Sequence, residues 1–252
     1  MADNAKRSEA LDTIRRNIAQ HGLHVYVVQG PPLPRFAYTI GLRDSVGVEL
    51  ILPGAIFYIK DEVVKIINSI ADRLRTQGCV RQGESFSVDS LGSFTLRNAD
   101  LSWTSKLLLG ALDYYGVAEI AALQVVPDKA HWTVDVPDMD RPWGGPSATA
   151  WRWLDEPWTY PVPEKSVAAT NLAALRGERV TEAVRWEEDE WEISAGPAPD
   201  VPKDEMRVVP LGTLIAADTS LSRVVNLALE EGIWRDADSD WQPWVDSKSQ
   251  TA

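Results

Sequence analysis

"RFAYTIGLRDSVGVELILPG", residues 35–54, decides how the first half of the chain is read. "FAYTIGL" alternates apolar and polar side chains as a strand does, and Gly41 interrupts it. "VELILPG" then resumes as an apolar run of strand length. Residues 40–49 therefore join two strands of one sheet. Glu49 stands first in the second strand and is expected at its exposed end. The polar stop between them is either a plain turn or the rim of a site.

Upstream, Leu11, Ile14 and Ile18 recur at helical spacing, which predicts a helix over 7–20 ended by Gly22. "LHVYVV" is β-branched and alternating, a strand. "QGPPLPR" is expected as a loop too long for a tight turn, because proline removes a backbone donor. Downstream, Val63, Val64, Ile67, Ile70 and Leu74 form one apolar stripe with charged residues opposite, an amphipathic helix. "ESFSVDSLGSFTLRNAD" holds two short strands around Leu91 and Gly92. "TSKLLLGALDYYG" has helical period despite Gly110, and "IAALQVVPD" is a strand. The pattern is α+β: a mostly antiparallel sheet with packed helices, followed by a second small α+β domain.

The chain has 252 residues, 44% of them apolar, enough for one large core or two modest ones. The polar start lacks the apolar segment of a secretion signal, and no run nears the roughly 18 apolar residues of a membrane helix. A cytoplasmic protein is expected. The single cysteine, Cys79, excludes an internal disulfide and any Cys-rich zinc site. At a helix C-terminus it is expected to be inert, since the partial charge there raises a thiol pKa.

Composition changes near residue 144. The expected organisation is a domain over 1–144, a Trp- and Pro-rich linker over 145–164, and an acidic, Trp-rich domain over 165–252. Residues 1–146 carry 15 basic and 17 acidic residues, a net of -2, whereas 147–252 carry 10 and 20, a net of -10. Eight of the eleven tryptophans lie from Trp151 onward. No basic block exists to neutralise phosphates, so nucleic acid is not an expected partner. An acidic surface steers towards a basic protein instead.

Three histidines, His21, His24 and His131, give neither HExxH nor a paired ligand motif, so no metal is expected. Neither a nucleophile elbow nor a glycine-rich phosphate loop occurs, and no cofactor is expected. His24, Tyr38 and Glu49 are the polar cluster an enzymatic cleft in the first domain would use. In the second, "TEAVRWEEDEWEI" reads as two strands turning at Glu188 and Asp189. Trp186, Glu188, Asp189, Trp241 and Trp244 are the candidate partner-binding residues, with Trp191 assigned to the core. Trp151, Trp153 and Trp158 are expected as exposed aromatics in an irregular stretch, free for a partner or for packing against a core edge.

Two stretches resemble a known family. "HGLHVYVVQGPPLPRFAYTIGLRDSVGVELILPG" and "GALDYYGVAEIAALQVVPDKAHWTVDVPDMDRPW" are similar to the bacterial DUF4262 family over about residues 10–144. "FAYTIGL" is the most specific piece. A histidine–proline–glutamate commonly follows it in the family, and here only Glu49 remains. More faintly, "WEISAG", "VVPLGTLIAADTSLSRVVNLALEEGIWRD" and "DWQPW" resemble the DUF2185 immunity-protein (Imm33-like) family over about 165–246. That resemblance implies a non-catalytic immunity protein that blocks a basic partner, such as a toxin domain, by surface contact. The alternative is a hydrolase-like enzyme using the cleft of the first domain.

Overall fold

A computed structural model describes residues 2–78, 83–144, 146–196, 201–236 and 239–244; Cys79 lies outside them. The chain divides into two compact units. The first holds residues 1–28, 35–132 and 136–148, the second 29–34, 133–135 and 149–252.

The first unit is built on a six-stranded sheet of order β1-β2-β3-β6-β5-β4. Its strands are β1 (His24–Gly30), β2 (Leu33–Ile40), β3 (Glu49–Pro53), β4 (Ser85–Val88), β5 (Gly92–Ala99) and β6 (Ala122–Pro127). All described ladders are antiparallel except β3 with β6, which is parallel. The loop expected over "QGPPLPR" is instead a tight turn at Pro31–Pro32, with strand on both sides. Proline is compatible with a turn, and Pro34 sits near the start of β2, where its missing donor costs little.

Helices cover both faces of this sheet. Helix α3 (Lys60–Gln77) buries Val63, Ile66, Ile67, Ile70, Ala71 and Leu74 against Leu50, Leu52, Leu96 and Val125. Its Ile59 N–H donates to Glu62 Oε2 at 2.9 Å, and Gly78 ends it in the left-handed conformation. Val64, counted in the expected apolar stripe, is only half-buried. The other face meets α1 (Ala2–His21) and α5 (Leu109–Tyr115), the latter preceded by α4 (Leu101–Leu107). The single helix expected over residues 104–116 is two, broken at Leu108, whose ψ of 37° leaves the helical region. Gly110 sits inside α5 because a Cβ there would meet the Tyr38 hydroxyl at 2.6 Å.

The second unit carries another six-stranded sheet, of order β10-β7-β9-β8-β11-β12. These are β7 (Val167–Asn171), β8 (Glu182–Arg185), β9 (Glu190–Ser194), β10 (Met206–Pro210), β11 (Gly232–Trp234) and β12 (Gln242–Pro243). Helix α6 (Leu172–Leu175) opens on Asn171, whose side chain accepts from Ala174 N–H at 3.0 Å. Helix α7 (Leu211–Ala217) buries Leu211, Leu214 and Ile215. A 3-10 stretch, Thr219–Asn226, follows it. Thus both units are α+β, with mainly antiparallel sheets and packed helices.

The stretch expected to be irregular and exposed is partly ordered and partly buried. Pro146–Leu154 is 3-10 helical, and Trp151 and Trp153 are buried. Their indole N–H groups donate to Asp135 O at 2.8 Å and Gly212 O at 3.1 Å. Trp158 donates to Val162 O at 2.7 Å. A buried indole needs such a partner, and backbone carbonyls of the same unit supply it.

Candidate functional site

The register of β2 on β3 sets Tyr38 opposite Ile51, so Tyr38, Ile40 and Glu49 share one sheet face. His24 joins that face through a ring ladder. It meets Tyr26 edge-on at 5.7 Å, and Tyr26 stacks on Tyr38 at 5.6 Å. The three residues nevertheless occupy different surroundings.

Glu49 is fully buried, not at an exposed strand end. The chain after Ile40 folds over it through a one-turn helix, α2 (Arg43–Val46). Its Oε1 accepts from Gly41 N–H at 3.0 Å, Arg43 N–H at 3.2 Å and the Tyr115 hydroxyl at 2.7 Å. Its Oε2 accepts from the Thr39 hydroxyl at 2.5 Å. Thr39 in turn takes Leu50 N–H at 2.8 Å, extending the β2–β3 ladder with a side chain. A carboxylate offers about four lone-pair sites, two on each oxygen; three donors converge on Oε1 and one meets Oε2. Burial pushes the Glu49 carboxyl above its ordinary value, and the four hydrogen bonds pull against that without overcoming it. Tyr115 is raised by burial and by the Glu49 charge. The polar stop in the sequence is thus a turn anchored on an internal carboxylate.

Tyr38 is buried too. Its hydroxyl accepts from Gly110 N–H at 3.0 Å, and desolvation lifts its pKa to about 12. His24 alone of the three lines a cavity, of about 490 Å³. His21, Asn17, Asn68 and Asp72 are its other polar walls, with Leu23, Val25 and Val64 between them. Asn17 Nδ2 lies 2.7 Å from His24 Nδ1, which makes Nδ1 the acceptor and leaves the ring proton on Nε2. Burial lowers the His24 pKa, so the ring stays neutral at pH 7. Among the described residues no group of three or more His, Cys, Asp or Glu side chains is placed to hold a metal.

The second unit holds the other candidates. Strand alternation puts Trp191 and Ile193 of β9, Ala183 of β8 and Ile233 of β11 on one face, and all are buried. Trp191 Nε1 donates to Val224 O at 3.3 Å from the 3-10 stretch beneath. The opposite face carries Glu182, Val184 and Trp186, then Glu190 and Glu192, then Gly232 and Trp234. Trp186 is 46% exposed, Trp234 36% and Trp244 42%. Trp186 Nε1 donates to Glu192 Oε2 at 3.0 Å, fixing the ring to the neighbouring strand. Trp244 lies on Gly232, where a Cβ would come within 2.5 Å of its ring. Further along the same face, on edge strand β10, Val208 is 70% exposed.

Glu188 is exposed in the turn between β8 and β9. Asp189 beside it is ion-paired with Lys165, whose hydrogen bond lowers its pKa. Trp241 differs from Trp186 and Trp244. It is half-buried, with its ring over the Arg235 guanidinium at 4.0 Å. Trp234 and Glu192 are members of the open face that sequence reasoning passed over. The signal was present in Ile233-Trp234, one in and one out, but which strands neighbour β8 is not written in local alternation.

Residues 17–132 match the family model described as Domain of unknown function (DUF4262). That span contains His24, Tyr38, Glu49 and Tyr115, and ends before the second sheet. No curated protein and no solved structure matches the chain. Among the described residues no helix is long and apolar enough to cross a membrane.

Proposed function

We propose that the chain is a non-catalytic protein-binding protein, of immunity type, that docks a basic protein such as a toxin domain on the open face of its second sheet. One observation carries this reading: Trp186, Trp234 and Trp244 stand exposed on a single sheet face, interleaved with Glu182, Glu190 and Glu192. Tryptophan and arginine are enriched at binding hot spots, and a desolvated arginine or lysine over an indole gains cation–π attraction. The carboxylates supply the opposite charge and the rim. The net of -10 over residues 147–252 extends that field beyond the patch. The resemblance of residues 165–246 to immunity proteins points the same way.

A hydrolytic role would need His24, Tyr38 and Glu49 to meet a substrate together. Tyr38 and Glu49 are buried, and both Glu49 oxygens accept hydrogen bonds from neighbouring residues. The non-catalytic reading is therefore preferred. The test is to capture the partner from the host cell, purify it, and titrate it by calorimetry against the wild type and Trp186→Ala. Loss of about 2 kcal/mol or more of binding is expected for a hot-spot tryptophan. Unchanged affinity would remove Trp186 from the interface.

A further inference from the structure

Strand β1 stands at one end of the first sheet, and among the described residues β2 is its one neighbour. Alternate residues along its other side therefore present N–H and C=O groups to no strand. Folded proteins blunt such an edge with lysine, proline or short length. "HVYVVQG" runs for seven residues and holds neither lysine nor proline. The opposite edge of the same sheet, β4, is four residues long.

The cavity of about 490 Å³ that His24 lines lies along this edge. One wall is Asn17 and His21 of α1, the other Val64, Asn68 and Asp72 of α3, with Leu23, His24 and Val25 as the floor. The two helices cover opposite sheet faces, so a space that both line lies beyond the last strand. Each wall is a stripe at four-residue spacing. Arg75 Nη1 donates to His21 O at 3.1 Å, which ties the helices together at one end of the groove. Among the described residues, no side chain of either helix hydrogen-bonds the main chain of residues 24–28. Asn17 commits Nδ2 to His24 and keeps Oδ1, and His24 keeps its Nε2–H. The Asn68 amide bonds to no described residue. Asp72, the one carboxylate on the lining, has Arg75 at 3.5 Å. The groove thus offers both donors and acceptors and no unanswered carboxylate, which suits a peptide main chain better than an ion.

We infer that this groove binds an extended, uncharged segment of another protein, which adds as a further strand beside β1 between the Asn17 and Asn68 amides. Main-chain bonds to a free sheet edge supply the affinity in this mode, and alternate side-chain positions supply the choice of sequence. Val25 packs towards the α3 side and His24 towards α1. Side chains of the added strand therefore face the two walls in turn. A β-branched residue suits Val25 and Val64. On the other side a hydroxyl can accept from His24 Nε2–H and donate to Asn17 Oδ1. A charged side chain there would lose water without gaining a partner. Neither wall involves the tryptophan face of the second unit.

The test is a titration of the full chain with a blocked peptide, Gly-Ser-Thr-Val-Thr-Val-Thr-Ser-Gly, followed by backbone amide resonances and amide exchange. Saturable shifts at residues 24–28 are expected, with slowed exchange of alternate β1 amides. Two further peptides carry N-methyl groups on alternate residues, one in each phase. One phase removes the donors that face β1 and should weaken binding by about ten-fold or more, whereas the other should bind like the unmodified peptide. Asn68→Trp fills the groove and should abolish binding, with a thermal melt as its folding control. The N-methyl pair decides the matter on the wild-type chain even where that variant fails to fold. No saturable shift in β1, equal affinity for the two N-methyl phases, or a folded Asn68→Trp that binds like the wild type would overturn the site. Slowed β1 exchange without peptide that is lost on dilution would overturn it too, because a second copy of the chain would then be the occupant.

Discussion

Replacing Glu49 by alanine tests the physical reading of the first unit. The substitution strands four donors: Thr39 hydroxyl, Gly41 N–H, Arg43 N–H and Tyr115 hydroxyl. Gly41 N–H keeps one acceptor, because the Tyr115 oxygen lies 2.8 Å away. Three groups are left without one. Each unsatisfied buried donor costs about 1–3 kcal/mol, and release of a buried carboxylate returns part of that. The expected loss for Glu49→Ala is about 3–5 kcal/mol, a large fraction of a typical domain's 5–15 kcal/mol. Glu49→Gln retains an oxygen for Gly41, Arg43 and Tyr115, and its amide can donate to Thr39. It should stay within about 1 kcal/mol of the wild type. Urea unfolding gives the totals, and exchange rates of the Gly41 and Arg43 amides give the local effect. The sign with pH is fixed as well. A carboxyl raised in the folded state binds its proton there first, so wild-type stability falls as pH rises from its ordinary value through its folded value. Glu49→Gln should flatten that slope. If alanine costs under about 1 kcal/mol and leaves both amides protected, the four-donor cage does not hold the turn.

Three further outcomes are expected. His24 is depressed by burial, so the unfolded chain takes up its proton first. Stability should therefore drop as pH falls below about 6.5, and His24→Gln should remove that component, as followed by NMR titration of the ring. Trp191→Ala empties the core of the second sheet and should cost about 3–5 kcal/mol by denaturant melts, whereas Trp186→Ala, on the open face, should change stability by under about 0.5 kcal/mol. Glu188→Lys with Asp189→Lys should mainly slow association with a basic partner and reduce its salt dependence in stopped flow, Asp189 contributing less because Lys165 already pairs with it.

The elements of both sheets were largely legible, because alternation and helical stripes are local signals. Ser85–Val88, Gly92–Ala99 and the β8–β9 turn fall where the pattern put them. What escaped depends on residues far apart in sequence. Glu49 heads an apolar strand, which locally suggests an exposed end, yet the chain from Thr39 to Arg43 folds back onto it and Tyr115, 66 residues on, joins them to make it an internal anchor. Leu108 breaks a helix whose period continues unbroken through it. Trp151 and Trp153 sit in a Pro-rich stretch that looks solvent-facing, yet carbonyls of Asp135 and Gly212 take their indole protons. The open face was half legible. Trp186 and Trp244 stood out by type and charge context, but Trp234 joins them only once β11 is known to pair with β8.

The most direct test of the central claim is calorimetric titration of the purified basic partner against the wild type and the Trp186→Ala/Trp234→Ala double variant, matched for stability. Docking on the open face requires the double variant to lose about 3 kcal/mol or more, over a hundred-fold in affinity. Equal affinity for both proteins would place the partner elsewhere and leave the tryptophan face without a binding role.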